Sequence, residues 1–344
     1  MMKVGILGAT GSVGQRFIQI LENSSRFEVV QLFGEKSAGY TYDTIRWILE
    51  GDVPRYVQKK RVEPISDISQ EIDVVFSALP ATVAQIEEIN LVKKGFIVAS
   101  NASAHRTDAY VPILIPEVNP DHLSLLTHQR EKKGWSGVLV TNPNCVTAIL
   151  CLALKPLLDA FGLSQVTVVT MQAVSGAGYP GLPSLDILGN VIPFIPGEEE
   201  KIARETCKIL GTYSGEQISP LPLKMVVSCN RVPTVDGHVM NVFVKTDQEC
   251  GVDEVVDVFR HFSALPQKMN LPTAPRRPIV VVEREDRPQP RFDLHPMAIT
   301  IGRIRECEGC LAFTVLGHNT IRGAAGGSVL NAELMEVMNW MEKQ

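Results

Sequence analysis

Residues 3–14 of this chain read KVGILGATGSVG, and this stretch decides the fold. The run 4–7 has the length and apolar content of a short buried strand. Glycines then recur at Gly8, Gly11 and Gly14, and a helical pattern begins at once. Such a strand-to-helix turn lets backbone amides approach a pyrophosphate at the helix N-terminus. We therefore expect nucleotide binding. The spacing G-x-x-G-x-x-G differs from the usual G-x-G-x-x-G, so a tight turn without a ligand is the alternative.

The rest of the first third alternates apolar runs with helical patterns, which predicts βαβ units and a mostly parallel sheet. We expect strands at 27–33, 74–78, 96–99 and 138–140, and helices at 15–22, 83–94 and 146–161. A domain boundary is placed near Asn142. The chain of 344 residues is long enough for two domains, each with its own core.

The second part is rich in β-branched runs, which favour a broad mixed or antiparallel sheet. Expected strands are 166–173, 225–228, 239–246 and 279–283, and a hairpin of 297–305 with 311–316 that turns at Glu308-Gly309. The Pro- and Arg-rich stretch 276–296 is interpreted as a surface excursion or a contact with another subunit. Residues 326–341 have the apolar spacing of a closing helix.

Composition and charge exclude several classes of function. Lys and Arg number 33 against 38 Asp and Glu, a net charge of -5, and no block of like charges marks a nucleic-acid or membrane surface. No signal peptide or long apolar run is found, so a cytoplasmic location is expected. The seven cysteines form no disulfide framework. Cys307 and Cys310 lack the second ligand pair that zinc requires, so no metal is expected.

The end of the second predicted strand bears on cofactor choice. Glu35, Lys36 and Ser37 follow Gly34 about twenty residues after the glycine turn. An acidic residue at this place accepts from the ribose 2′-hydroxyl of NAD, whereas a cation and a hydroxyl suit the 2′-phosphate of NADP. Both types are present, so the residues alone leave NADP and NAD open.

Cys145 is the sharpest single feature of the sequence. It follows Asn142-Pro143-Asn144 after a strand and begins a long helix. A thiol at the positive end of a helix is expected to have a lowered pKa, which suits a nucleophile. The alternative is an inert buried thiol, which is how Cys151, Cys207, Cys229 and Cys250 are interpreted.

A cysteine nucleophile beside a nicotinamide indicates aldehyde chemistry through a thioester, and this chemistry needs an acid or base. His238 lies in a short connection between two strands that also contains Arg231. The histidine can shuttle a proton, and the guanidinium can hold a carboxylate in bidentate fashion.

Several motifs together resemble the aspartate-semialdehyde dehydrogenase family, in particular its fungal and archaeal-type branch. The resemblance spans the chain in one order. It rests on 8–14, 100–106, 142–145, 172–178, 196–201, 230–238 and 319–326.

This resemblance implies an N-terminal Rossmann-like domain, residues 1–142 plus 323–344. It also implies a central α/β catalytic and dimerisation domain, residues 143–322, like that of glyceraldehyde-phosphate dehydrogenase. The implied reaction is reversible and NADP-dependent: L-aspartyl 4-phosphate is converted to L-aspartate 4-semialdehyde and phosphate through a cysteine thioester. It lies in the biosynthesis of threonine, methionine, lysine and diaminopimelate. The family's homodimers, some of which form tetramers, are the implied assemblies.

The resemblance also implies roles for individual residues. Catalysis is implied for Cys145 as nucleophile, His238 as acid/base and Gln172 as the residue that orients the thioester. Implied substrate contacts are Arg231 for the carboxylate, Glu199 for the amino group, Arg106 and Lys201 for phosphate, and Asn144. Implied cofactor contacts are Gly8, Thr10, Gly11, Ser12, Val13, Glu35, Lys36, Ser37, Ser77, Ser175, Gly176 and Asn319.

The sequence leaves alternatives open for one substrate contact, for the cofactor preference and for the activity itself. Glu198 or Glu200 could take the place of Glu199 beside the substrate. Glu35 stands where the family more often has a small polar residue, which could relax the preference for NADP. A relative acting on malonyl-CoA or N-acetylglutamyl phosphate would use the same cysteine and histidine. A non-catalytic nucleotide-binding sensor would need neither residue.

Overall fold

A computed structural model describes residues 1–341, and its N-terminal part is built on a parallel sheet. The strands are β1 (Met2–Leu7), β2 (Phe27–Phe33), β3 (Val62–Glu63), β4 (Val74–Ser77), β5 (Ile97–Ser100) and β6 (Val138–Thr141). They lie in the order β3-β2-β1-β4-β5-β6, and every pair is parallel. The order reverses beside β1, so the first glycine turn lies at the switch point where such sheets bind nucleotides.

Helices and the closing segment cover this first sheet. The helices are α1 (Ser12–Leu21), α2 (Arg55–Gln58), α3 (Ala81–Lys93) and α4 (Leu125–Lys133). One core cluster joins α1 and the central strands to residues from the end of the chain, including Val329, Leu330 and Leu334. The strands are buried on both sides, which explains their continuous apolar runs. The predicted parallel α/β architecture is confirmed.

The second part is a six-stranded mixed sheet, again as predicted from its β-branched runs. Its strands are β7 (Gln165–Gln172), β10 (Lys224–Arg231), β11 (His238–Lys245), β12 (Ile279–Val281), β13 (Ile299–Cys307) and β14 (Cys310–Gly317). They lie in the order β10-β7-β11-β14-β13-β12. A separate two-stranded ribbon contains β8 (Thr212–Tyr213) and β9 (Ile218–Ser219). The predicted hairpin is confirmed, with Glu308 and Gly309 in its turn.

Three helices pack against this sheet: α5 (Cys145–Phe161), α7 (Glu198–Ile209) and α8 (Val252–His261). Three short helices lie in the connections, α6 (Ser184–Ile187), α9 (Leu265–Lys268) and α10 (Pro290–Asp293). Helix α5 is buried along most of its length and contributes to the main core cluster. The helix α8 and the extent of α7 were not anticipated from sequence. The stretch 276–296 supplies the edge strand β12 as well as surface turns.

The chain ends by returning to the first sheet. A π-helical turn, Ile321–Ala325, leads into α11 (Gly326–Val337). Arg322 in this turn makes a bidentate ion pair with Glu117, both distances being 2.7 Å, and both side chains are buried. The domain boundaries at 142 and 323 stay a prediction, and residues 342–344 lie outside the described part. No helix within residues 1–341 has the length and apolar character needed to cross a membrane.

Candidate active site

The turn before α5 holds Cys145 at the first position of the helix. Asn144 is the N-cap, and its side-chain oxygen accepts from the backbone amides of Val146 and Thr147 at 2.9 and 3.2 Å. An added Cβ at Gly323 would lie 2.7 Å from the Cβ of Cys145, so only glycine allows the closing turn this close. The nucleophile is therefore held between its own cap and the final segment of the chain. The predicted contact of Asn144 with substrate stays a prediction.

Cys145 and His238 form a pair, although 92 residues lie between them in the sequence. The sulfur lies 3.2 Å from Nε2 of His238, the first residue of β11. The backbone amide of Ala173 donates to Nδ1 of the same ring at 3.1 Å. Because Nδ1 is an acceptor, the proton of the neutral imidazole is assigned to Nε2, facing the sulfur.

The lowered pKa predicted for Cys145 is wrong for the free protein. Burial of the sulfur, together with the Glu198 carboxylate, raises the pKa of Cys145 to about 12, although Arg106 and Arg231 oppose the shift. Burial, followed by the charge of Arg231, lowers the pKa of His238 to about 3. Thiol and imidazole are thus both neutral at pH 7, because desolvation outweighs the helix N-terminus.

Arg231 and Gln172 lie side by side next to this pair. They end β10 and β7 and are partners in the parallel register. Arg231 donates to the backbone oxygen of Ala173 at 2.8 Å and is 6% exposed. The buried Gln172 donates to the hydroxyl of Thr170 at 3.3 Å. The neighbouring strand ends therefore bring Arg231 and His238 to one end of the sheet, as predicted, and Gln172 lies beside them.

Gly176 lies against both functional groups. An added Cβ would lie 2.8 Å from Nη1 of Arg231 and 3.0 Å from Cε1 of His238. We expect Gly176→Ala to lower kcat/KM by about 100-fold, because displacement of reacting groups by a fraction of an ångström to 1 Å has costs of this order. The thermal unfolding midpoint should change little, since Gly176 is exposed. Steady-state kinetics and thermal unfolding of the purified variant measure both.

Gly251 gives the matched control for this substitution. It has a negative φ, and its added Cβ would meet only the Glu254 carboxylate at 3.5 Å, an ordinary contact. Gly251→Ala should leave kcat/KM unchanged. Equal activity of Gly176→Ala and the natural protein would show that Arg231 and His238 do not need their present positions.

Two adjacent carboxylates at the start of α7 have different surroundings. Glu198 is buried and accepts from Nδ2 of Asn144 at 2.8 Å. Glu199 accepts instead from the backbone amide of Cys229 in β10 at 2.9 Å. Its neighbour Glu200 is exposed. The structure therefore places Glu198 against the cysteine turn and does not bring Glu199 there, because successive helical residues face different directions.

The two cations predicted to hold phosphate come from different elements. Arg106 follows β5 in an irregular segment, is buried, and donates to Glu205 at 3.1 Å and to the backbone oxygen of Asn101 at 2.9 Å. Lys201 lies in α7, one turn before Glu205. Within residues 1–341, Lys201 makes no ion pair. Glu205 also accepts from the backbone amide of Asn144 at 2.7 Å, so a single carboxylate joins Arg106 to the turn that carries the nucleophile.

The glycine turn has the shape of a phosphate cradle. Gly8 has φ +69°, and an added Cβ would lie 2.7 Å from the backbone oxygen of Ala78. At Gly14 an added Cβ would lie 2.7 Å from the Cα of Ala9, so α1 packs directly on the turn. Gly11 is the N-cap of α1, whose first residues are Ser12 and Val13. These features fit a bound dinucleotide, since free amides and the helix N-terminus favour an anion.

The remaining predicted cofactor residues fall into two groups. Ser37 lies 3.5 Å from Thr10, hydroxyl to hydroxyl, and the exposed Glu35 and Lys36 share its 3₁₀ turn. These residues therefore surround the ends of β1 and β2. The side chain of Ser77, which ends β4, is fully buried, and its contact with a cofactor stays a prediction.

Asn319 links the second group of predicted cofactor residues. Its side chain donates to the Ser175 hydroxyl at 2.8 Å and accepts from the amide of Gly237 at 2.9 Å. Gly176 follows Ser175 in the same turn, so this group adjoins His238. The two groups come from the two halves of the chain.

Some residues at this site were not identified from sequence. The buried Glu205 joins Arg106 to Asn144, and Lys208 donates to the backbone oxygens of residues 106, 108 and 111. The only signal was the helical spacing of 198, 201, 205 and 208, which places these side chains on one face of α7. That spacing does not say which distant segment they contact.

Comparison with known proteins covers both halves of the chain. A family model described as semialdehyde dehydrogenase, NAD binding domain matches residues 3–126. A second, semialdehyde dehydrogenase, dimerisation domain, matches residues 154–322. The aspartate-semialdehyde dehydrogenase of Methanothermobacter thermautotrophicus is 48% identical over 97% of this chain and 99% of its own length.

Two further similar proteins have names that state two different enzyme activities. The crystal structure of aspartate semialdehyde dehydrogenase with NADP from Candida albicans has a TM-score of 0.90 and 37% identity, and covers 99% of this chain and 100% of that one. A malonyl CoA reductase (NADP) of Metallosphaera sedula is 36% identical over 100% of this chain and 99% of its own length.

Proposed function

Because this chain belongs to the aspartate-semialdehyde dehydrogenase family, we propose that it reversibly converts L-aspartyl 4-phosphate to L-aspartate 4-semialdehyde and phosphate with NADP. The observation that carries this proposal is the pair of Cys145 Sγ and His238 Nε2, 3.2 Å apart. Arginine side chains from two separate segments, Arg106 and Arg231, lie near the sulfur. The reaction belongs to the biosynthesis of threonine, methionine, lysine and diaminopimelate.

The covalent steps follow from the positions of these groups. In the reductive direction the Cys145 sulfur attacks the acyl carbon, the carbon–oxygen bond to phosphate breaks, and a thioester forms. The thiol proton leaves with the phosphate. After a hydride reduces the thioester carbon, the carbon–sulfur bond breaks, the aldehyde is released, and the Cys145 thiolate takes a proton from solvent. His238 keeps its Nε2 proton, because Nδ1 already accepts from the amide of Ala173, and it can donate a hydrogen bond to the developing oxyanion.

The substrate contacts divide by charge. Arg231 fits the α-carboxylate, because a guanidinium binds a carboxylate in bidentate fashion. We assign the amino group to Glu198 in place of Glu199, since Glu198 is the carboxylate beside Asn144 and the sulfur. Arg106 and Lys201 supply positive charge for both the acyl phosphate and free phosphate.

NADP supplies or accepts the hydride when it is bound. The residues that would hold its pyrophosphate are Gly8, Gly11 and the first turn of α1. Lys36 and Ser37 suit the 2′-phosphate, whereas Glu35 in the same turn suits the 2′-hydroxyl of NAD. We therefore expect NADP to be preferred and NAD to be used more weakly.

A homodimer, or a tetramer built from it, is part of this proposal, as is a cytoplasmic location. The support for assembly is the match of residues 154–322 to a dimerisation domain. Leu185 is 91% exposed, Phe194 62% and Val226 56% in this region. A partner that covers these side chains would remove apolar surface from water.

The experiment follows reduced cofactor by absorbance in purified protein given L-aspartate semialdehyde. NADP and NAD are tested in parallel, with phosphate present or omitted. We expect sustained NADP reduction that requires phosphate. Absence of a signal with either cofactor would contradict the proposal.

The malonyl CoA reductase relative provides a specific second candidate. Such an enzyme acts on a substrate without the amino group, so Glu198 would have no ammonium to bind. The same assay with malonyl-CoA and NADPH separates the two functions. Rapid oxidation of NADPH with malonyl-CoA, together with no reaction of the semialdehyde, would favour this candidate.

A further inference from the structure

One buried carboxylate connects two parts of the site. Glu205 is 2% exposed. Its Oε1 accepts from Nη1 of Arg106 at 3.1 Å, and its Oε2 accepts from the backbone amide of Asn144 at 2.7 Å. Each oxygen thus has one charged or polar donor. The two donors come from segments that are almost forty residues apart in the sequence.

The Arg106 side of this contact is held by the same helix. Lys208, one turn after Glu205, donates from Nζ to the backbone oxygens of Arg106, Asp108 and Val111 at 2.8, 2.9 and 2.9 Å. The second terminal nitrogen of Arg106, Nη2, donates a hydrogen bond to the backbone oxygen of Asn101. Helix α7 therefore fixes both the guanidinium and the backbone of the segment that carries it.

The Asn144 side leads directly to the nucleophile. Asn144 precedes Cys145 and caps α5. Glu198, two turns before Glu205, accepts from the Asn144 side chain at 2.8 Å. The residue before the nucleophile is thus held by two carboxylates of α7, one on its side chain and one on its backbone amide. A shift of Glu205 would move both this turn and Arg106.

We infer that Glu205 is a positioning residue that couples the phosphate-binding arginine to the cysteine turn. The inference rests on the proposed function, because it takes Arg106 as a phosphate ligand. Glu205 does not contact the reacting atoms. It fixes the distance and orientation between Arg106 and Cys145. Both acylation and attack by phosphate require this geometry.

The substitution Glu205→Gln tests this coupling with almost unchanged side-chain volume. The amide puts a donating NH2 group where one of the two carboxylate oxygens accepts, so either Arg106 or the Asn144 amide loses its acceptor. In the variant we expect the KM for phosphate to rise by about tenfold, the usual effect of losing a hydrogen bond to a charged group. The rate of the first turnover of NADP reduction without phosphate should fall by about fivefold or more for the same reason.

Three comparisons separate coupling from a general loss of structure. Arg204→Gln, at the exposed neighbour on the same helix, should change neither quantity. Glu205→Asp keeps the charge but is one methylene too short to reach both donors, so it should show both defects. In an Arg106→Gln background, Glu205→Gln should still slow the first turnover without raising the KM for phosphate further.

The outcomes distinguish this inference from the proposed function. If the natural protein shows no saturable dependence on phosphate, the proposed function fails. If that dependence is present and folded Glu205→Gln changes both quantities by less than twofold, the inference is wrong. A lower unfolding midpoint with an unchanged KM for phosphate and an unchanged first turnover would also overturn it, because Glu205 would then be only structural.

Discussion

Turnover falls by about four orders of magnitude or more in Cys145→Ala, as expected when the group that forms the covalent intermediate is removed. The glycine turn and α1 are distant in sequence from this residue and should still bind NADP. Initial rates with the semialdehyde and phosphate measure the loss. Titration of the variant with NADP, followed by calorimetry, measures the retained binding.

Cys151 offers a matched control on the same helix. It is completely buried in α5, nearly two turns beyond Cys145, so Cys151→Ala removes a sulfur that is not part of the Cys145–His238 pair. This variant should keep most of the activity and lose some stability. Phosphate-dependent NADP reduction by Cys145→Ala at a rate near that of the natural protein would contradict the thioester route.

The second large effect is on stability. Arg322→Met leaves Glu117 fully buried without its partner, and we expect the free energy of unfolding to fall by about 3–5 kcal/mol. The midpoint of urea unfolding measures this change. Activity should fall as well, because the adjacent Gly323 lies against Cys145.

An exposed ion pair serves as the comparison. Lys3 and Glu71 are 2.6 Å apart, but their side chains are 44% and 73% exposed. Lys3→Met should therefore leave the urea midpoint nearly unchanged, since water and salt screen such a pair. The double variant Arg322→Met with Glu117→Leu should recover much of the stability, because no charge then remains buried alone. A small loss in the single variant would mean that Glu117 finds another partner.

Most of the fold follows from local patterns in the sequence. A short segment of sequence is enough to recognise the glycine turn after β1, the strands with β-branched residues and the closing helix. The Glu308-Gly309 turn defines its hairpin because both residues adopt positive φ. The pairing of Cys145 with His238 was also predictable in outline, since each ends or begins a secondary-structure element.

The parts that sequence reasoning missed depend on distant contacts. The expected drop in the pKa of Cys145 considered only its helix, whereas burial and Glu198 from α7 decide the direction. Which of Glu198, Glu199 and Glu200 faces the cysteine turn depends on the rotation of α7 about its axis, which the sequence left open. Glu205 was not identified because neither of its partners is near it in sequence.

The return of α11 to the first sheet has a consequence for synthesis on the ribosome. Val329, Leu330 and Leu334 belong to the same core cluster as β1 and β4. The first sheet therefore lacks part of its core until α11 has left the ribosomal exit tunnel. Until then, the nascent N-terminal half exposes the apolar side chains that α11 later covers. A chaperone would bind the nascent chain at this stage.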